Sequence, residues 1–223
     1  MILGEPQLCG QLLQRSAPAL AFLMPMDISL TRRDPEEMLL RATAQWGGRD
    51  DLWVFGYASL IARPEFDATE HRVAHVHGWH RALRMRSRIN RGTPELPGLV
   101  FALLPGGSCH GVVYRVPRRR AAAELERLWR REMPSAVYDP RWLPCRTSHG
   151  EVRALAFTLS RRSPSFVETM ADRDLLHVFR HAKGRFGTTL DYLIETAEAL
   201  RRRGLRDREI ERMVDLARTH ALV

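Results

Sequence analysis

Short apolar runs in the middle of the chain are bounded by glycine, proline and polar residues, a pattern typical of β-strands. The sequence predicts strands at 52–55, 73–77, 79–86, 99–104, 111–116 and 152–159. Pro105-Gly106-Gly107 predicts a turn between two of them. Because the strands follow one another with short connections, we expect an antiparallel or mixed sheet.

Apolar residues at helical spacing lie on both sides of this strand-rich region and also within it. Asp34 as N-cap, Pro35 at the first position and two acidic residues next to it predict a helix over about 35–46, ended by Gly47-Gly48. Further helices are predicted over 121–133, 172–182, 188–202 and 207–219. Strands and grouped helices predict an α+β fold.

The change of pattern near residue 50 predicts an N-terminal extension, residues 1–50, and one domain, residues 51–223. The apolar run within residues 1–25 resembles a signal peptide only weakly, because Glu5 and Arg15 interrupt it and no small-residue cleavage site follows. A start at Met24 or Met26 is an alternative interpretation of this segment.

The three cysteines, Cys9, Cys109 and Cys145, are odd in number and far apart, which does not predict a disulfide framework. No run reaches the ~18–20 apolar residues that a membrane-spanning helix needs. We therefore expect a cytoplasmic protein with reduced thiols and no membrane partner.

The net charge of +9 comes almost wholly from arginine, since Lys183 is the only lysine among 35 basic residues. A basic chain raises nucleic-acid binding as a possible function. The arginines are dispersed, however, and the sequence contains no helix-turn-helix pattern or aromatic RNA-binding strand. We expect no nucleic-acid partner; steep salt dependence of binding to DNA or RNA is the test of the alternative.

One carboxylate stands in the apolar stripe of a predicted helix. At 100° per residue, Glu132 falls on the same face as Leu128 and Trp129, while Arg130 and Arg131 fall on the other face and are predicted to point to solvent. Two interpretations remain open at this point. Glu132 either ends the helix half-exposed and pairs with an arginine, or it is a desolvated carboxylate with a raised pKa that can transfer protons near neutral pH.

Other candidate chemistry is weaker. His75 and His77 would share a strand face, but no acidic residue or cysteine is placed to complete a metal site. Cys109 next to His110 is a poor nucleophile pattern, as is Cys145 near His149. Ser59 lacks the G-x-S-x-G frame of a serine hydrolase. The loop at 57–60 follows a strand, and its backbone N–H groups could bind an anion such as a carboxylate.

Together these segments resemble the ChaC family of γ-glutamylcyclotransferases, collinearly from about Leu52 to the C-terminus. The matching runs are WVFGYASLI (53–61), VHGWHRALRM (76–85), RGTPELPGLV (91–100), GSCHGVVYRV (107–116), LWRREMPSAVYDPRWLP (128–144), RALAFTL (153–159) and GRFGTTLDYL (184–193). The combination of the Tyr-Ala-Ser-Leu loop, the Arg-Arg-Glu-Met helix end and the Tyr-Asp-Pro-Arg-Trp run is specific.

The resemblance implies a γ-glutamylcyclotransferase-like α+β fold, a small mixed barrel-like sheet flanked by helices. It implies cleavage of glutathione to 5-oxoproline and cysteinylglycine without metal or cofactor. Glu132 matches the family's catalytic glutamate, and the loop at 92–98 matches a mobile flap near the peptide end of the substrate. The residues that match the substrate-binding positions are Tyr57, Ala58, Ser59, Leu60, Tyr138 and Tyr192.

Two departures from the family pattern lie near the implied site. Ala58 stands where the family usually has glycine, and Pro134 with the Ala136-Val137 pair replaces a more glycine-rich approach to Tyr138. If the position of Ala58 requires a positive φ, alanine costs about 1 kcal/mol there. The alternatives to a glutathione-specific enzyme are a cyclotransferase for other γ-glutamyl amino acids or amines, and a non-catalytic member of the fold.

Overall fold

A computed structural model describes residues 33–223. The expectations for Cys9, for the signal-like run within residues 1–25 and for a start at Met24 or Met26 lie outside these residues. The strands are β1 (Leu52–Gly56), β2 (Glu70–Ser87), β3 (Gly98–Val116), β4 (Asp139–Thr147), β5 (Gly150–Thr158), β6 (Lys183–Gly184) and β7 (Gly187–Thr188). The helices are α1 (Pro35–Trp46), α2 (Ser59–Ala62), α3 (Arg118–Glu132), α4 (Asp172–His181), α5 (Thr189–Arg202) and α6 (Arg208–Thr219).

Five strands close into a mixed barrel in the order β1-β3-β2-β4-β5. Neighbours within this order pair antiparallel, and β1 closes the barrel on β5 through a parallel pairing of Val54 with Leu155. Both of these residues are fully buried in the core. The expected α+β fold with a small mixed barrel flanked by helices is confirmed.

The long hairpin of β2 and β3 bends in its middle, where the sequence predicted a turn. Gly78, Gly106 and Gly107 all have positive φ values, 77°, 99° and 71°. The pairing jumps from His77 with Ser108 to Trp79 with Pro105, so β3 carries one extra residue there. The predicted turn at 105–107 is therefore wrong. The glycines allow a β-bulge that bends the strand while the pairing continues.

Strand β4 was not predicted. Pro140 and Pro144 interrupt its sequence, and proline removes a backbone donor from a sheet ladder. Nevertheless β4 pairs with β5 along its whole length, from Asp139 with Thr158 to Thr147 with Gly150. Strand β4 pairs with β2 only opposite Ala74 and His75. Most of the β4 edge that faces away from β5 therefore makes no strand pairing, and prolines can be accommodated there.

Helix α3 packs its apolar face, including Leu125, Leu128 and Trp129, into the core. The indole N–H of Trp129 donates a 2.7 Å hydrogen bond to the carbonyl of Pro35, the first residue of α1. Helix α1 has the predicted bounds and lies against α3. The division between an extension at residues 1–50 and a domain at residues 51–223 stays a prediction.

Helix α5 begins with a capping box, in which the Thr188 hydroxyl accepts from the Asp191 N–H and the Asp191 carboxylate accepts from the Thr188 N–H. This arrangement satisfies N–H groups that a helix start leaves without partners and fixes where the helix begins. The buried face of α5 then carries Tyr192 and Leu193 against the barrel. Among residues 33–223, no helix has both the length and the apolar content required to cross a bilayer.

Candidate active site

The loop that follows β1 forms one wall of a pocket at the end of the barrel. Ala58 is the N-cap of the single-turn helix α2, and its carbonyl accepts a 2.8 Å hydrogen bond from the Ile61 N–H. Ser59 and Leu60 are the first residues of this helix. The first amides of a helix have no intrahelical acceptor, so those of Ser59 and Leu60 are suited to an anionic group of a ligand.

The structure brings all seven sequence-predicted site residues to this one pocket. About 290 Å³ of space, including the open mouth, is free of protein atoms. The lining residues are Tyr57, Ala58, Ser59, Leu60, Phe101, Glu132, Tyr138, Phe157 and Tyr192. Phe101 and Phe157 were not predicted. Both belong to apolar strand runs, in which the sequence does not distinguish the residues at the barrel end from the rest of the core.

Glu132 is the last residue of α3, and only 13% of its side chain is exposed. Burial raises the pKa of its carboxyl group. Arg131 opposes this rise through an ion pair in which its Nε lies 3.0 Å from Glu132 Oε1. Both sequence interpretations therefore describe part of the site: Glu132 ends the helix and pairs with an arginine, and it is also a largely desolvated carboxyl group facing the pocket.

The solvent-facing position predicted for Arg131 is wrong. Its side chain is only 23% exposed and contacts Glu132 and residues 63–65 instead of extending into solvent. The helical projection gives the direction of the Cβ atom, whereas a long arginine side chain can fold onto a neighbouring surface. Arg130, the preceding residue, is exposed as predicted.

Three buried tyrosines face Glu132. The Tyr57 hydroxyl donates to the Phe157 carbonyl at 2.9 Å, and the Tyr192 hydroxyl accepts from the Phe101 N–H at 3.4 Å. Burial raises the pKa of Tyr57, Tyr138 and Tyr192, and the nearby Glu132 carboxylate raises all three further. These hydroxyls are consequently neutral at physiological pH. The Tyr57 hydrogen is already donated to Phe157, so Tyr138 and Tyr192 are the tyrosines that can donate a hydrogen bond to a ligand.

The two departures from the family pattern have different backbone conformations. Ala58 has a φ of −148°, so the cost of a positive φ does not arise there. Ala136 has a φ of 49° and is 2% exposed, so a buried alanine adopts the left-handed conformation that glycine adopts more easily. Of the two, only Ala136, in the connection between Glu132 and Tyr138, has a positive φ.

The loop at 92–98, expected to be a flap, is closely packed at its base. The Thr93 N–H donates to the Leu96 carbonyl at 3.1 Å, and the Leu99 N–H donates to the Thr189 hydroxyl at 2.8 Å. None of its residues lines the pocket described above. Its mobility and its contact with substrate stay predictions.

The histidine and cysteine candidates do not line the pocket. His75 stacks on His110, with 4.2 Å between ring centroids, and His77 lies at the same distance from His75. Within residues 33–223, no group of three or more His, Cys, Asp or Glu side chains is arranged to hold a metal ion. Cys109 and Cys145 are buried, and burial raises the pKa of both thiols, that of Cys145 to about 12. Neither is suited to act as a nucleophile.

The model of the ChaC-like protein family matches residues 52–220, and the chain belongs to this family. It is 34% identical over 157 residues to the glutathione-specific gamma-glutamylcyclotransferase of Escherichia coli, covering 70% of this chain and 68% of the relative. It is 29% identical over 187 residues to glutathione-specific gamma-glutamylcyclotransferase 1 of Mus musculus, covering 80% and 84%.

The fold is also similar to a crystal structure of the glutathione-specific cyclotransferase from yeast. The TM-score is 0.69 at 20% sequence identity, and the superposition covers 77% of this chain and 97% of the yeast chain. At this level of identity the likeness establishes the shared fold, a closed barrel with flanking helices.

Proposed function

We propose that this chain is a γ-glutamylcyclotransferase that converts glutathione to 5-oxoproline and cysteinylglycine. The observation that carries the proposal is the position of the Glu132 carboxyl group, largely withdrawn from water in the pocket that the loop at 57–60 also lines. The relatives named above supply the class of reaction and the identity of the substrate.

The reaction needs no protein nucleophile, because the substrate carries its own. The α-amine of the γ-glutamyl group attacks the γ-carbonyl carbon, a five-membered lactam closes, and the bond to the cysteine nitrogen breaks. Orienting two groups of one molecule can be worth an effective molarity of about 10⁵ M or more. The task of the pocket is therefore to fold the γ-glutamyl chain so that its amine faces its carbonyl.

In this proposal the protons move through Glu132. Its carboxylate accepts protons from the attacking nitrogen, and its acid form returns them to the departing nitrogen, so that the carboxylate is regenerated. A group with this double task works best when its pKa is near the working pH. The burial that raises the pKa of Glu132 has the required direction.

The remaining lining residues would hold and enclose the substrate. The amides of Ser59 and Leu60 would bind the α-carboxylate of the γ-glutamyl group, and the neutral hydroxyls of Tyr138 and Tyr192 would donate to other oxygens of that group; all four residues line the pocket. Phe101 and Phe157, both almost fully buried, supply an apolar wall that limits the access of water. The cytoplasmic location stays a prediction from the cysteine pattern.

The test compares glutathione with γ-glutamyl-alanine as substrates and measures the release of 5-oxoproline from each. We expect kcat/KM to be clearly higher with glutathione. Equal values would indicate a broader γ-glutamyl specificity. Ligand binding without any 5-oxoproline would indicate a non-catalytic member of the family.

A further inference from the structure

The guanidinium group of Arg131 joins the end of α3 to the segment that follows α2. Its Nε lies 3.0 Å from Glu132 Oε1, and its Nη1 lies 3.2 Å from Glu65 Oε2. The same Nη1 donates to the carbonyl of Arg63 at 2.6 Å and is 3.3 Å from that of Pro64. One side chain thus contacts Glu132 and three consecutive residues of the 63–65 segment.

The 63–65 segment is directly connected to the loop that lines the pocket. The Arg63 N–H donates to the Ser59 carbonyl at 2.8 Å, so the position of the segment and the position of the loop are coupled. Glu65 has a φ of 55°, a left-handed conformation that costs a non-glycine residue about 1–2 kcal/mol. The contacts of Arg131 with this segment offset that cost and hold the turn in place.

The ion pair also constrains the carboxyl group itself. The guanidinium group is planar and rigid, and its Nε lies 3.0 Å from Oε1 in this ion pair, which favours one orientation of the carboxyl group over others. Charged and titratable groups approach Glu132 from its own helix and from four other segments. They are Arg131 on α3, Glu65 after α2, Tyr57 after β1, Tyr138 before β4 and Tyr192 on α5. Arg131 is the cation in this set.

We propose that Arg131 is a positioning residue, which fixes the Glu132 carboxylate relative to the loop at 57–60 and keeps it ionised between turnovers. This inference rests on the proposed cyclotransferase function and assigns to that site a residue that does not itself contact the substrate. The neighbouring Arg130 is exposed and provides a matched control in the same helical turn.

The test measures 5-oxoproline release as a function of pH for the wild type and for Arg131→Gln, Arg131→Lys and Arg130→Gln. Loss of the positive charge in Arg131→Gln should raise the pKa of Glu132. The acid limb of the kcat/KM profile should therefore shift to higher pH by about one unit or more. Loss of the fixed geometry should lower kcat by about 10-fold to 100-fold. Arg131→Lys should restore the acid limb but only part of kcat, because lysine keeps the charge and loses the planar donor geometry.

Arg130→Gln should match the wild type in both measurements. If Arg131→Gln also matches the wild type in kcat and in its acid limb, the inference is wrong while the proposed function stands. If the wild type and Arg130→Gln both form no 5-oxoproline, the proposed function itself fails. Should Arg131→Gln not fold, Arg131→Lys decides the question, and an unchanged kcat in that variant overturns the inference.

Discussion

The Tyr57 hydroxyl donates a 2.9 Å hydrogen bond to the carbonyl oxygen of Phe157, and both residues line the pocket. The bond joins the loop after β1 to the end of β5, two elements that are adjacent only because the barrel closes between them. The geometry of the loop at 57–60 therefore depends on the closure of the barrel as well as on the sequence of the loop.

Removing this hydroxyl in Tyr57→Phe leaves the Phe157 carbonyl without that partner. We expect a loss of about 1–2 kcal/mol in the free energy of unfolding, measured by denaturant titration. Tyr114→Phe is the matched control, because the Tyr114 hydroxyl is buried with no hydrogen-bond partner among residues 33–223. That substitution should be neutral or stabilising, and equal losses in the two variants would contradict the role given to the Tyr57 bond.

Glu132 should make stability depend on pH. Its folded-state pKa is raised by burial, so the carboxyl group is protonated more easily in the folded protein than in the unfolded chain. Below the unfolded-state pKa the residue is protonated in both states; as the pH rises through the folded-state pKa, the folded protein loses stability. Glu132→Gln removes this titration, so its melting temperature relative to the wild type should be higher at pH ~8 than at pH ~4. A constant difference over this range would show that the carboxyl group is not desolvated.

The two alanines that depart from the family pattern should respond differently to glycine. Ala136→Gly removes the energetic cost of a positive φ at alanine. This gain in folding stability offsets the loss of the methyl contacts and the greater flexibility of the unfolded chain. Ala58→Gly has no such relief, because its φ is already negative. We expect Ala58→Gly to be the less stable variant by about 1 kcal/mol in chemical denaturation. The reverse order would contradict the backbone assignment.

Much of the architecture is encoded in local patterns. The N-cap at Asp34 and the apolar spacing in 121–133 predict α1 and α3 with nearly the observed bounds, because capping and amphipathicity are local properties. Strand β4 was missed, since its prolines oppose a strand assignment and its pairing with β5 is a tertiary property. The bulge at 105–107 was read as a turn because glycine favours both.

The candidate site was predicted in part, for similar reasons. Glu132 stood out because a carboxylate in an apolar stripe conflicts with the local pattern. Phe101 and Phe157 are apolar residues in apolar strands, so nothing in the sequence distinguishes them from other core residues or indicates that they line a pocket. The contacts of Arg131 with the 63–65 segment join residues far apart in sequence, and helical projection alone placed this arginine in solvent.

Chelation provides a separate test of the expected absence of a metal. Incubation with EDTA should leave 5-oxoproline formation unchanged, because the proposed chemistry uses a carboxyl group and a substrate amine. Activity that is lost with EDTA and restored by zinc would contradict this expectation and would indicate a metal site, for which the neighbouring His75, His77 and His110 are the candidates. The triple substitution of these histidines by asparagine should likewise leave the rate unchanged.

The most direct measurement incubates the wild type and Glu132→Gln with glutathione and quantifies 5-oxoproline and cysteinylglycine by mass spectrometry. The wild type should release the two products in equal amounts, and the folded Gln variant should be slower by at least about 100-fold, the usual contribution of a general acid–base group. Near-normal product release by the Gln variant would remove Glu132 from the mechanism and contradict the account.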